Sequence, residues 1–331
     1  CRMNEQQFLT NRTSNQPSGT KKTPFKVALI SDERYPHPAT NTQQVIKNAA
    51  ALASQGLDFE LVIPVQWNDL LKPGYRTEDA IYAYYNVSTK LKIKQLLFLL
   101  PASTFRLEKF THLVASLIYA SKKRFDLVYT RNEFIAIASV ALGKNTVFEH
   151  YRKFGDEYPR LVRWLSKWTH KPNFLGMILH SDIAKKSMQR AGFPEEKLLV
   201  CHNGFDFADM QPMLTKTEAR QKLGWETGNR YVVYTGNMQP NKGMESLVEV
   251  AALLPGIYFV LVGGTPTDIE RLQNFAAERQ AKNLVFTGYQ PIKEVSKYLY
   301  AADALIITPD SAPLEKHGRT VLPFKTFLYL A

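Results

Sequence analysis

Lys242-Gly243 is the pair in this chain best placed to do chemistry. In the segment from Tyr231 to Leu247 an apolar run ends in Gly236-Asn237, and a loop then ends in Lys242-Gly243, where a helix begins. A helix start offers unpaired N–H groups and positive dipole potential, and a lysine adds a mobile charge. That combination suits a diphosphate; the plain alternative is a surface lysine before a helix. Gly263-Gly264 closes the next apolar run, and Gly288-Tyr289-Gln290 closes the one after it. In the first half, Glu149-His150 ends an apolar run, where a histidine can hydrogen-bond a bound ligand or serve as general acid or base; the alternative is a packed strand-end histidine. Arg131-Asn132 and Thr40-Asn41-Thr42 stand in comparable places, either lining a ligand site or sitting in solvated loops. No G-x-G-x-x-G follows the first apolar run, and no P-loop, H-E-x-x-H or G-x-S-x-G occurs. Dinucleotide oxidoreductase, P-loop nucleotidase, zincin and serine hydrolase readings are therefore disfavoured.

The elements that must hold these residues follow from periodicity. Phe25–Ser31 and Phe59–Ile63 read as buried strands flanking a helix from Val45 to Gln55, a strand–helix–strand unit that implies a parallel sheet. Further strands are expected at 127–130, 146–149, 176–179 and 198–201, with a helix from Asp182 to Ala191 capped by Ser181. Phe207 to Met213 reads as a linker. The pattern then restarts with strands at 231–235, 258–262, 284–286 and 304–308. Helices are expected at 243–254, 268–280 and 295–301, and a last one from Lys325. Two consecutive β/α sets predict an α/β protein with two Rossmann-like, doubly wound domains facing each other across a cleft. The expected division is a disordered polar tail at 1–24, a first domain at 25–206 and a second at 207–331.

The ordered set of motifs resembles the family 4 (group 1) retaining glycosyltransferases of the GT-B fold. The resemblance is carried by Tyr231–Leu247 with its Gly236 and Lys242-Gly243, by Val262-Gly263-Gly264, by Thr287-Gly288, and by Ala302-Asp303. It continues in Pro323 to Ala331, and in the first half in Ala191-Gly192-Phe193-Pro194, His202-Asn203-Gly204-Phe205-Asp206 and Glu149-His150. The resemblance implies transfer of a sugar from a nucleotide-sugar donor to a glycan or lipid-linked acceptor. The anomeric configuration would be retained, without a bound metal or other cofactor, in polysaccharide or glycolipid synthesis. It places donor contacts at Gly236, Asn237, Lys242, Gly263, Gly264, Tyr289, Gln290 and Lys325. Acceptor-side residues would be Thr40, Asn41, Thr42, Arg131 and Asn132, with His150 and Lys242 catalytic. Three positions depart from the pattern: Asn237 stands where the family often has arginine, Leu328 where it has a ribose-holding glutamate, and Thr40-Asn41-Thr42 where it has a glycine pair. An inactive GT-B-like binding module and a sugar-nucleotide epimerase on the same fold are the alternatives. The chain stops inside an expected helix, so a C-terminal truncation is expected.

Of 331 residues, 45% are hydrophobic and 22% charged, as in a folded globular protein rather than a disordered or fibrous one. The net charge of +12 is uneven: residues 1–200 carry 29 Lys and Arg against 17 Asp and Glu, and the remainder balances. The first half is thus expected to face something anionic. The absence of a nucleic-acid reading motif argues against nucleic acid. Two segments interleave basic and aromatic residues, 105–124 with Lys122-Lys123-Arg124, and 151–171 with Trp164 and Trp168 read on one helix beside Arg160, Arg163 and Lys167. Both suit an anionic membrane interface or, alternatively, packing on the sheet. The longest uncharged run, Val250 to Thr267, is broken by Pro255, Pro266 and glycines, so no membrane span is expected. Two cysteines make neither a disulfide framework nor a metal site, which points to a cytoplasmic, reducing setting; the expected membrane association rests on segments 105–124 and 151–171.

Overall fold

Seven parallel strands form the first sheet: β1 (Lys26–Ile30), β2 (Asp58–Val65), β3 (Lys92–Leu97), β4 (Leu127–Thr130), β5 (Thr146–His150), β6 (Phe174–Leu179) and β7 (Leu198–Val200). Their spatial order is β3-β2-β1-β4-β5-β6-β7. Four more parallel strands, β8 (Arg230–Thr235), β9 (Ile257–Val262), β10 (Leu284–Gly288) and β11 (Ala304–Leu305), form a second sheet in the order β10-β9-β8-β11. Each order reverses direction beside its first strand, the doubly wound arrangement expected from the sequence. The computed structural model describes residues 25–66, 69, 77–97, 107–308 and 324–331. The expected polar tail at 1–24 lies outside these residues, as do positions 105, 106, 309 and 323.

The helices around the first sheet are α1 (Thr40–Ser54), α2 (Glu78–Tyr85), α3 (Leu107–Lys122), α4 (Glu133–Ala141), α5 (Phe154–Glu157), α6 (Pro159–Ser166) and α7 (Asp182–Arg190). Those around the second are α8 (Lys216–Leu223), α9 (Met244–Leu253), α10 (Pro266–Glu278), α11 (Ile292–Ala301) and α12 (Phe324–Tyr329). Apolar side chains fill both faces of each sheet. Leu29, Leu61 and Ile63 pack under α1 and α2, while Ala28, Ile30, Val62 and Val128 pack under α3. In the second sheet Leu261 and Phe259 face α9 and α10, while Val233 and Val260 face the opposite side. Burial on both faces explains why these strands read as unbroken apolar runs.

Four expectations need correction. The first helix starts at Thr40 rather than Val45, because the Thr42 hydroxyl donates to the His37 and Ala39 carbonyls, both at 2.8 Å, and folds the first turn back on the loop. Strand β3 was not expected: it is the edge of the sheet, and Lys92-Ile-Lys-Gln lacks the apolar run of a strand covered on both faces. The last strand of the second sheet covers 304–305 rather than 304–308. Residues 151–171 are not one helix: α5 and α6 are separate, α6 stops at Ser166, and Trp168 lies beyond it, packed against the core formed by Phe148, Phe174 and their neighbours.

The two sheets are joined through Phe207–Met210, a 3-10 turn whose Asp206 and Asp209 carboxylates hold the Lys47 ammonium of α1 at 2.6 and 2.7 Å. Tyr300 of α11 donates to the Met210 carbonyl at 3.0 Å, so the connection is tied to both halves. Across the gap, the Tyr84 ring of α2 and the Tyr289 ring beyond β10 stack at 6.4 Å.

Candidate active site

At the carboxyl end of the second sheet the backbone leaves the strands through glycines. Gly236 follows β8 with φ +132°, and Gly263-Gly264 follow β9 with φ +117° and +80°. A Cβ on Gly263 would lie 2.3 Å from the Gly236 carbonyl oxygen, so the two strand ends meet where only glycine fits. The chain then passes Asn237, whose carbonyl accepts from the Tyr234 hydroxyl at 2.7 Å, and turns through Pro240–Lys242 into α9. Thr308 donates to the Lys242 carbonyl at 3.0 Å and fixes the end of this loop.

Lys325, far away in sequence, reaches the same rim. Its ammonium lies 3.5 Å from the centre of the Tyr234 ring, and a Cβ on Gly236 would fall 2.8 Å from Nζ. Tyr329, one turn on in α12, accepts from the Thr235 N–H at 2.9 Å and so docks the helix on the end of β8. Burial, followed by the charge of Lys242, pushes the Lys325 ammonium down to about 7. Lys325 Nζ thus lies over Gly236 within electrostatic reach of Lys242, and among the described residues no carboxylate pairs with either lysine. Gln290 donates to the Thr287 carbonyl at 3.0 Å, and Tyr289 is held by the stack on Tyr84. Asp303 of the Ala302-Asp303 motif takes no place at the rim. It accepts from Arg220, from Lys216 and from the Tyr231 N–H, and thereby ties α8 to β8.

The first sheet has a cavity of about 730 Å³ beyond the carboxyl ends of β1, β4 and β5, at the point where its strand order reverses. Ligands of open α/β sheets bind at such points. His150 lines it, half-buried, with Nδ1 accepting from the Arg152 N–H at 3.2 Å. Burial, then the charges of Arg131 and Arg152, push the imidazole down to about 4. The ring is thus neutral at pH 7, and with Nδ1 accepting, its proton sits on Nε2 as a donor. Arg131 lies on the cavity floor, its Nη1 donating to Gln44 Oε1 at 2.9 Å and its Nε 3.6 Å from Glu149. Glu149 is only 2% exposed and also accepts from Tyr129 and, at 2.7 Å, from His180 Nε2. Burial alone would raise this carboxyl. The His180 bond, the Arg131 charge and the Tyr129 hydroxyl hold it below the usual range. Gln44 Nε2 closes the ring of contacts, lying 3.1 Å from His180 Nδ1.

The expected acceptor-side residues divide by this geometry. Asn41 lines the cavity, and its Oδ1 is buried without a hydrogen-bond partner among the described residues. Thr42 is spent on the turn into α1, and Thr40 is exposed. Asn132 borders the cavity but works as the N-cap of α4, accepting from the Phe134 and Ile135 N–H groups and donating to Asp32. Sequence reasoning overlooked Gln44 and His180. His180 follows the end of β6 as His150 ends β5, so the strand-end rule would have found it. Gln44 has no such signal, since it is one polar position on a helix. Among the described residues no group of three or more side chains is placed to hold a metal ion. None of their helices is long and apolar enough to cross a membrane.

Residues 215–322 match the family model described as Glycosyl transferases group 1. A D-inositol 3-phosphate glycosyltransferase of Mycolicibacterium vanbaalenii is 24% identical over 292 residues, covering 77% of this chain and 60% of that protein. The chain thus spans less than two thirds of that relative's length. Among solved structures, Anabaena HepE in complex with UDP and glucose aligns with a TM-score of 0.61 at 16% identity, over 86% of this chain and 74% of that one. Sucrose-phosphate synthase from Thermosynechococcus elongatus aligns with a TM-score of 0.63 at 16% identity, over 85% of this chain and 74% of that one. The two facing parallel sheets have the GT-B fold, and the segment at 215–322 is similar to the group 1 glycosyl transferases.

Proposed function

We propose that the protein transfers a sugar from a nucleoside diphosphate donor, held at the rim of the second sheet, to an acceptor hydroxyl bound in the cavity of the first. The observation that carries this reading is the placement of Lys325 over Gly236 within electrostatic reach of Lys242, because two lysines that no carboxylate pairs among the described residues call for a multiply charged anion. As the bond between the sugar and the diphosphate breaks, negative charge grows on the leaving oxygens. The two ammonium groups and the N–H groups at the start of α9 lie where they meet that charge. Preorganised donors of this kind typically supply ~3–4 kcal/mol each to the transition state.

In this reading Asn237 and Gly264 offer backbone N–H groups to the donor, and Tyr289 and Gln290 bound its nucleoside side. Gly236 and Gly263 spend their own N–H groups on the Val262 and Gly288 carbonyls and serve by letting the donor approach the backbone closely. His150 Nε2–H donates to a hydroxyl of the transferred sugar or of the acceptor, and Arg131 and Asn41 orient the acceptor in the cavity. The reaction retains anomeric configuration and has its charge neutralised by side chains rather than a cation. The UDP and glucose bound by Anabaena HepE support a uridine diphosphate hexose as the first donor to try. The acceptor class is a glycan or a lipid-linked saccharide. The direct test is release of nucleoside diphosphate from a panel of nucleotide sugars, with and without candidate acceptors. Acceptor-dependent release supports the reading. Donor conversion without any acceptor would make the protein an epimerase, and binding without turnover would make it a binding module.

A further inference from the structure

We propose that α3 and the neighbouring mouth of the cavity dock on an anionic lipid bilayer, so that the acceptor is an amphiphile whose polar head enters the cavity while its apolar tail remains in the lipid. The acceptor part of this rests on the assignment of the cavity made above; the docking surface does not.

The apolar arc of α3 is wider than the sheet beneath it covers. Leu117 and Ala120 are buried on β1, β2 and β4. Beside them Phe110, Val114 and Ile118, spaced at i, i+4 and i+8, are 65%, 41% and 51% exposed. On a helix that spacing makes one continuous stripe. The stripe has a different neighbour at each end. Phe110 is a wall of the cavity, shared with Phe134 of α4, which is itself 56% exposed. At the other end the helix runs into Lys122, Lys123 and Arg124, all exposed. Apolar side chains flanked by a cationic cluster fit the boundary between lipid headgroups and acyl chains, with the cations at headgroup level.

Charge favours this occupant over others. Among the described residues, those up to 200 carry 22 Lys and Arg against 16 Asp and Glu, a net +6, while those beyond 200 balance. Three side chains in a row fall well short of the ~800 Å² per partner that a stable protein interface needs. Inserted into a bilayer, the same three side chains leave water without a complementary protein surface. The cavity opens beside the stripe, so docking would bring its mouth to the headgroup layer, where an acceptor anchored in lipid presents its polar end.

The test is flotation of the full chain with vesicles of 3:1 phosphatidylcholine and phosphatidylglycerol, against phosphatidylcholine alone, at low and raised salt. The chain is expected to float with the anionic vesicles and not with the neutral ones. The pair Phe110→Ser and Ile118→Ser is expected to weaken the partition about tenfold or more, with thermal stability retained. A triple reversal of Lys122, Lys123 and Arg124 to Glu is expected to abolish flotation at low salt. A Phe110→Trp variant gives a second readout, quenching of its fluorescence by brominated acyl chains. Absence of flotation at low salt, flotation untouched by the serine pair, or a self-association that the serine pair removes would each overturn the docking surface. Flotation needs neither donor nor acceptor, so it is independent of the transferase reading. A chain that floats but transfers sugar only to water-soluble acceptors would keep the surface and refute the amphiphilic acceptor.

Discussion

The Lys325 ammonium gives the most exacting prediction, because its environment changes when a diphosphate arrives. In the free protein, burial and the charge of Lys242 hold it at about 7. At pH 8 a group titrating there is only ~10% protonated. A diphosphate within ~4 Å of it stabilises the charged form and returns it to ~9 or above. Binding at pH 8 is then expected to take up nearly one proton, about 0.8 per site, and at pH 6 almost none. Titration calorimetry with uridine diphosphate, in buffers of different ionisation enthalpy, reads that uptake as the slope of apparent enthalpy against buffer enthalpy. Affinity is expected to fall about tenfold per pH unit between ~7 and ~9. The phosphate itself titrates near ~6, so it contributes little in this window. Lys325→Met should abolish both the uptake and the slope. The same variant should be the more stable protein at neutral pH. Lys325 titrates lower folded than unfolded, so the cost of its buried charge is full below pH 7 and is relieved as pH rises towards 10.5. A buffer-independent enthalpy at pH 8, or an unchanged uptake in Lys325→Met, would refute the convergence of the two lysines on the ligand.

Three further outcomes follow from the same geometry. Lys242→Ala is expected to lower kcat/KM for sugar transfer at least a hundredfold with an unchanged circular dichroism spectrum, since it removes a charge aimed at the leaving diphosphate. Gly263→Ala should destabilise the second domain by roughly 3 kcal/mol in denaturant melts, because its Cβ meets the Gly236 carbonyl and its φ of +117° is a glycine conformation. Glu149→Ala should cost about 3 kcal/mol by leaving Arg131 and His180 without their buried partner, and Glu149→Gln less. The native Glu149 carboxyl is held below its unfolded value of 4.5, so its contribution is present above that value and is lost as pH falls through the folded one. Acid melts of the native chain and Glu149→Gln should therefore converge at low pH.

Local pattern determined the architecture. Apolar runs such as Val27–Ile30 and Tyr231–Thr235 must be buried on both faces, and short loops joining them to amphipathic helices leave parallel sheets as the outcome. Gly236, Lys242-Gly243 and Gly263-Gly264 were legible because a strand, a glycine exit and a helix start are adjacent in the chain. Strand β3 was not, since an edge strand with one open face needs no apolar run. Where residues distant in sequence meet, only the tertiary structure decided. It carried Lys325 to Gly236 and Lys242, ringed Glu149 with Arg131 and His180, and spent Asn132 and Thr42 on backbone turns. It also set Trp168 against the core while leaving Phe110, Val114 and Ile118 uncovered. Periodicity shows that a helix has an apolar arc, but how much of that arc is buried depends on the width of the sheet it lies on.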